Sequence, residues 1–200
     1  MKQLFILAIT AFGFGTFAQS QIVTSEQSIP YSVGSKNSIV VTVPYGKADV
    51  VAKQLKSEMK DWGGKLKTSK TESTTLQSSV KSMFERKTFD SYVKIITVDN
   101  EVKVAVAVDL GGAFMTSSQH PTQYGEMKER MEKFAMTAAK ASVNDNVKAE
   151  QKALSTLEKE EKTLEKTKEK HLKDIESYKK KISESQKQIE KNIVLQTKKK

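Results

Sequence analysis

The chain offers few side chains that could carry out catalysis. It contains no cysteine and only two histidines, His120 and His171. His120 follows Ser118 in a loop beyond a valine-rich segment, and a serine nucleophile acting with His120 and Asp109 would make a hydrolase. No nucleophile elbow or other local framework of such an enzyme accompanies these residues. We therefore expect no enzymatic activity, with a hydrolase that uses His120 as a remote alternative.

The sequence also lacks the patterns that hold metals and cofactors. Asp99, Asn100 and Glu101 are without the glycine and the spaced acidic ligands of a calcium loop, and they are typical of a hairpin turn. Gly111 and Gly112 are not followed by the lysine and hydroxyl residue of a phosphate-binding loop. The lack of cysteine removes thiolate metal sites and disulfides. We expect no metal and no cofactor.

Positive charge is concentrated towards the C-terminus. Residues 148–200 hold 16 lysines against 10 acidic residues, so this part contributes +6 to a net charge of +10. Lys179, Lys180 and Lys181 could contact an anionic envelope surface through a salt-sensitive attraction. Aromatic residues do not alternate with these lysines, which disfavours nucleic acid as a partner. The alternative interpretation is a solubilising helix surface, because charges of both signs are interspersed.

An apolar repeat of seven residues runs along the same region. Residues 126–200 contain no glycine and no proline, a composition that favours helix. With Val147 at heptad position a, eight of the 14 a and d positions through Asn192 are apolar, which predicts a coiled coil. The predicted coiled-coil interface consists of Val147, Leu154, Leu157, Leu164, Ile175, Tyr178, Ile182 and Ile189.

The middle of this repeat is polar, because Glu161, Lys168 and His171 occupy a or d positions. Two His171 side chains paired across a dimer would repel each other when protonated, and could then set register or oligomeric state in a pH-dependent way. The alternative is a single, solvated helix over this part. The charges that flank the repeat fit neither helix orientation consistently, so parallel and antiparallel packing both stay open.

The N-terminus has the pattern of a secretory signal. Lys2 precedes an apolar run that ends at Phe17, and the small residues Thr16 and Ala18 stand where signal peptidase cleaves. We expect cleavage before Gln19, which leaves 182 residues for export to the periplasm or for secretion. No later segment is long and apolar enough to span a bilayer.

The pattern divides the chain into four parts. Residues 1–18 form the signal peptide, and the polar residues 19–36 are expected to be a linker or a loose edge segment. Residues 37–142 are expected to fold as a small α+β domain. Residues 143–200 are expected to form a basic helical coiled-coil tail.

Within the domain, the pattern predicts the order β-α-β-β-β-α, an antiparallel sheet with packed helices. A helix is expected from Ala48 to Trp62 and another from Thr122 onward, because apolar residues recur there every three or four positions. Residues 65–75 could be strand or loop, and the second helix could break near residues 144–146. The predicted strands cover residues 38–43, 76–84, 91–98 and 102–110.

The expected function is that of an exported, non-enzymatic structural or adaptor protein. Its tail would self-associate or bind a helical partner of the envelope. In composition and shape, an exported basic protein with a helical arm broadly resembles the periplasmic holdase chaperones of the Skp type. The resemblance implies binding of unfolded polypeptides as an alternative, although those arms are hairpins that return to the body and this helix continues to the C-terminus. Binding to anionic surfaces is a further alternative.

Overall fold

A computed structural model describes residues 21–197 of the chain, so the expected signal peptide lies outside the described residues. The predicted α+β class is confirmed, because a six-stranded antiparallel sheet with packed helices is followed by a long C-terminal helix. The chain divides into two compact units, of which the first ends at Asn146 and the second begins at Val147. We call the described residues 21–146 the domain and residues 147–197 the tail.

The sheet has the strand order β1-β2-β6-β5-β4-β3. Helix α1 is Ala48–Asp61, and helix α2 is Pro121–Thr197, which includes residues 144–146. A short helical turn, Phe84–Arg86, lies between the fourth and fifth strands. The strands are β1 (Thr24–Tyr31), β2 (Gly34–Val43), β3 (Lys65–Thr68), β4 (Ser73–Ser78), β5 (Phe89–Val98) and β6 (Glu101–Asp109).

The sheet contains two strands beyond the four that the sequence pattern predicted, and both lie in segments where an edge strand was one of the two alternatives. Part of the segment expected to be a linker or a loose edge segment forms β1, which pairs with β2 from Thr24 opposite Val41 to Tyr31 opposite Gly34. Strand β2 therefore begins at Gly34, whereas its predicted start was residue 38. An edge strand is bonded on one side only and tolerates polar residues, so the apolar period that reveals a central strand is weak here.

The segment left open at residues 65–75 contains β3, a turn and the start of β4. The prediction of a strand at 76–84 was wrong in its bounds, because β4 ends at Ser78 and Phe84–Arg86 is a left-handed turn with φ between 53° and 65°. Strand β4 buries hydroxyl groups, with Thr75 Oγ1 2.7 Å from Ser91 Oγ on β5. Buried hydroxyls that bond one another leave no apolar pattern in the sequence.

The predicted β5–β6 hairpin is present. Asp99 and Asn100 have φ of 49° and 66°, the left-handed values that a tight two-residue turn requires, and Val98 pairs with Glu101 on either side of it. Alternate valines of β6, from Val102 to Val108, face the core. The hairpin therefore supplies the centre of the sheet.

Both helices cover the same face of the sheet. Leu55, Met59 and Trp62, in or just after α1, are buried with Met131 and Phe134 of α2 in one core. After α1 the chain turns sharply at a glycine. A Cβ atom at Gly64, where φ is +74°, would lie 2.3 Å from the Leu76 carbonyl oxygen, so only glycine fits there.

The buried side of α2 ends at Ser142. Its hydroxyl accepts a hydrogen bond from the Lys47 amide at 3.1 Å and donates one to the Ala138 carbonyl at 2.9 Å. One turn further on, Lys47 Nζ pairs with Asp145 at 2.8 Å, and this hydrogen bond raises the pKa of Lys47. From residue 143 to residue 195 every α2 side chain is exposed.

Candidate interaction surface

The predicted coiled-coil residues form an exposed apolar seam on the tail. All of them lie on α2, and their side chains are between 44% and 69% exposed. Leucines and isoleucines of the domain core are at most 3% exposed, so this is a different environment for the same residue types. We call these eight residues the seam: Val147, Leu154, Leu157, Leu164, Ile175, Tyr178, Ile182 and Ile189.

The helix around the seam satisfies its polar groups locally. The hydroxyls of Thr156, Thr163 and Thr167 donate to carbonyl oxygens one turn earlier, at 3.1, 2.9 and 2.9 Å. Among the tail residues that the structure describes, no lysine lies within ion-pair distance of an acidic side chain. The charged side chains thus do not fold over the seam in pairs, and its apolar atoms face solvent.

The polar middle of the seam has an apolar neighbour that sequence reasoning missed. Glu161, Lys168 and His171 are exposed, and beside His171 the side chain of Leu172 is 53% exposed at heptad position e. Leu164 and Leu172 are eight residues apart, a spacing that a strict seven-residue repeat does not contain. Apolar residues eight apart lie on the same side of an α-helix, and this spacing between Leu164 and Leu172 is the signal that would have found it.

The lysine run proposed as an anionic contact is exposed but does not form one patch. Successive residues of an α-helix are about 100° apart, so Lys179, Lys180 and Lys181 lie on three sides of α2. Lys181 Nζ lies 5.9 Å from the centre of the Tyr178 ring, at the edge of the seam. An anionic surface that binds Lys180 would therefore meet lysines elsewhere along the helix and not its two neighbours.

The residues of the imagined hydrolase are not linked by hydrogen bonds. Asp109 Oδ1 accepts hydrogen bonds from the amides of Gly111 and Gly112, at 2.9 and 3.0 Å. The Ser118 hydroxyl lies 3.3 Å from the threonine hydroxyl two residues before it. His120 Nδ1 is buried and has no hydrogen-bond partner in the described part of the chain. The geometry gives no support to a catalytic triad.

Residues 21–197 show neither a metal-binding cluster nor a membrane-spanning helix. No group of three or more histidine, aspartate or glutamate side chains is placed to hold a metal ion there. Neither of the two described helices carries an apolar stretch that could cross a bilayer.

A cluster of aromatic rings and lysines lies on the sheet face opposite the helices, and the sequence did not point to it. The ring centres of Tyr31 and Tyr92 are 6.3 Å apart, and those of Tyr92 and Phe114 are 5.9 Å apart. Lys36 Nζ lies 4.3 Å from the Phe114 ring centre, and Lys94 Nζ lies 5.5 Å from that of Tyr31. Strand pairing brings these residues together from distant parts of the chain.

This cluster is internally satisfied. Burial raises the pKa of Tyr31 to about 12, although its hydroxyl lies 3.0 Å from Ser38 Oγ. Desolvation, followed by nearby carboxylates including Asp90, also raises the pKa of Tyr92. The carboxylate of Glu72 accepts hydrogen bonds from the amide and the hydroxyl of Ser32. The two lysine ammonium groups lie over aromatic rings, and carboxylates lie close by. The cluster therefore covers part of the sheet face that the helices leave uncovered.

An open apolar groove of about 710 Å³ borders the end of β2. Its lining includes Tyr45, with φ of 55° and 58% exposure, and Met136, with 48% exposure. A tyrosine in the left-handed region is uncommon. Because the side chain of Tyr45 is mostly exposed, its packing does not account for the strained backbone conformation. The groove has fewer exposed apolar side chains than the seam, in which eight such residues follow one another along the helix.

Comparison with known proteins gives no relative for this chain. No family model, no curated protein and no solved structure matches it. The interpretation of the seam therefore depends on its geometry alone.

Proposed function

We propose that this protein is a non-enzymatic structural or adaptor protein that self-associates through its tail. The observation that supports the proposal is the seam, eight apolar side chains at heptad spacing that are each at least 44% exposed. A helix that leaves such a line in water gains most by placing it against an equivalent line on another helix.

The seam carries the apolar area from which association would gain free energy. Burying a large apolar side chain completely contributes about 1.5 to 3 kcal/mol, so a half-exposed seam residue has roughly 1 kcal/mol left to gain. The gain is concentrated in the apolar layers on either side of the polar middle, because Glu161, Lys168 and His171 add little to it.

Self-association is favoured over a heterologous partner by the form of the repeat. Isoleucine occupies the a positions Ile175, Ile182 and Ile189, a choice typical of two-stranded coiled coils. A second copy of the same chain has the same spacing of apolar residues. In a parallel pair, the polar middle of one helix would therefore lie beside the polar middle of the other.

The proposal is tested by measuring molecular mass. We would apply sedimentation velocity to the chain from Gln19 and to a seam variant, Ile175→Ala with Ile182→Ala and Ile189→Ala. The matched control is Thr156→Ala with Thr163→Ala and Ser177→Ala, which places alanine at exposed positions away from the seam. We expect an oligomer for the parent chain and the control, and a monomer for the seam variant.

Alanine maintains helix propensity, so circular dichroism should show similar helix content in all three proteins at concentrations where each is monomeric. A parent chain that stays monomeric at high concentration would overturn self-association. The seam would then require a different helical partner.

A further inference from the structure

The tail carries a second line of residues that the seam does not use. Taking Val147 as position a, every f position from residue 152 to residue 187 is lysine. Position f lies on the side of a coiled-coil helix opposite a and d, and all of these side chains are exposed. We call these residues the lysine stripe: Lys152, Lys159, Lys166, Lys173, Lys180 and Lys187.

The stripe separates charge along the helix. Its six lysines contribute +6, whereas the other charged residues from 148 to 195 are seven lysines and ten acids, with a net charge of −3. The positive charge of the tail is therefore concentrated on one side, and the remaining surface is slightly acidic. A helix surface that served solubility alone would need no such separation, because mixed signs on all sides suffice.

The stripe has the dimensions of an extended contact. Successive lysines are seven residues apart, or about 10.5 Å along the axis, and the whole stripe spans roughly 53 Å. A straight helix drifts about 20° per heptad, so the six side chains lie within an arc of about 100°. Lysine side chains are long enough to bring their ammonium groups to a common plane over such an arc.

The residue types favour a diffuse anionic surface over a specific anionic ligand. The tail contains no arginine, the residue whose planar fork recognises individual phosphates and nucleic acid. Its one aromatic residue, Tyr178, belongs to the seam and cannot stack on bases from the stripe. Lysines act as point charges, and four to eight of them on a helix suit a bilayer with anionic headgroups.

We propose that the lysine stripe binds the tail along the surface of a bilayer that contains anionic phospholipid. The inference rests on the proposed function, because the seam must be covered by a partner helix for the stripe to face the lipid. A lone helix would insert its apolar seam into the bilayer and direct the stripe towards water. In the paired helix the contact is electrostatic, without insertion.

The test is cosedimentation of the chain from Gln19 with vesicles. The probes are vesicles of phosphatidylcholine with phosphatidylglycerol, and vesicles of phosphatidylcholine alone. The stripe variant changes Lys159, Lys166, Lys173 and Lys180 to glutamine. A control variant removes the same charge from positions b and c: Lys148→Gln, Lys162→Gln, Lys170→Gln and Lys191→Gln.

We expect the parent chain to bind only the phosphatidylglycerol vesicles and to be released by salt. Each lysine near an anionic bilayer strengthens binding about fivefold, so loss of four weakens binding by up to about 600-fold, and the stripe variant should bind at least about tenfold more weakly. The control should bind clearly more tightly than the stripe variant. An equal loss in both variants would overturn the stripe and leave only net charge, and binding to phosphatidylcholine alone would overturn the electrostatic contact.

The oligomeric state of each protein is measured in the same buffer without vesicles, which separates the two proposals. A monomeric parent chain contradicts the proposed function. An oligomeric parent chain that does not sediment with anionic vesicles contradicts the lysine stripe and leaves self-association intact.

Discussion

The domain and the tail use the same apolar residue types in opposite ways. Leu55 on α1 is 3% exposed and packs in the core between helix and sheet, whereas Leu157 on the tail is 61% exposed. Helix α1 has only 14 residues and depends on the sheet for its stability, since short isolated helices are marginal in water. The tail is much longer than this limit, which leaves its exposed leucines available for the self-association that we propose.

The strongest way to test this contrast is to remove one leucine from each region. Leu55→Ala should lower the free energy of unfolding of the domain by about 2 to 5 kcal/mol, because it leaves a cavity in the core. Leu157→Ala should change it by less than about 0.5 kcal/mol, since the side chain already faces solvent. Urea unfolding followed by the fluorescence of Trp62, the one tryptophan of the chain, reports the domain alone.

Equal effects of the two substitutions on the Trp62 transition would contradict the division into a packed domain and an independent tail. The Leu157→Ala protein should differ from the parent chain in its self-association instead.

A tyrosine pair sharpens the comparison between buried and exposed groups within the domain. Tyr31 is buried and its pKa is about 12 in the folded protein, against about 10 when the chain is unfolded. A raised pKa in the folded state means that its stabilising contribution is complete below pH 10 and is lost as the pH rises towards 12. The loss should reach on the order of 2 to 3 kcal/mol.

The measurement is the free energy of unfolding of the parent chain, Tyr31→Phe and Tyr45→Phe at several pH values between 9 and about 12. Tyr45 is 58% exposed and serves as the control. Tyr31→Phe should flatten the decline, and Tyr45→Phe should leave it unchanged. The same decline in all three proteins would show that Tyr31 is not its source.

The smallest expected effect on stability comes from introducing a glycine into each of the two regions. Glu85 lies in the left-handed turn with φ of 54°, a conformation that glycine adopts without penalty. Glu85→Gly should therefore stabilise the domain by about 0.5 to 1 kcal/mol, since its ion pair with Lys87 is exposed and contributes little. Glu165→Gly, on the exposed surface of the tail helix, should lower helix content, because glycine costs about 1 kcal/mol in a helix interior.

Circular dichroism measures the helix content and Trp62 fluorescence measures the stability of the domain. Destabilisation of the domain by Glu85→Gly would show that the turn depends on the glutamate side chain and not on backbone conformation.

The sequence by itself determined the features that depend on residues close together in the chain. The helical nature of the tail, the spacing of the seam residues and the spacing of the six stripe lysines follow from repeats of three, four and seven residues, which need no other part of the molecule to be recognised. The turn at Asp99 and Asn100 and the glycine stop after α1 follow from local backbone preferences in the same way. The lysine stripe can likewise be recognised from the sequence alone, once the heptad positions opposite the seam are considered.

Only the tertiary structure decided the features that depend on distant partners. Strand β1 is a strand because β2 binds it, and Thr75 can be buried on β4 because Ser91 of β5 bonds its hydroxyl. The rings of Tyr31 and Tyr92 meet although β2 and β6 lie between their strands, and Ser142 can be buried at the end of the packed side of α2 because its hydroxyl accepts a hydrogen bond from the Lys47 amide. Burial of polar groups is stable only when partners are supplied, and pairing between residues far apart in sequence is not encoded in any local period.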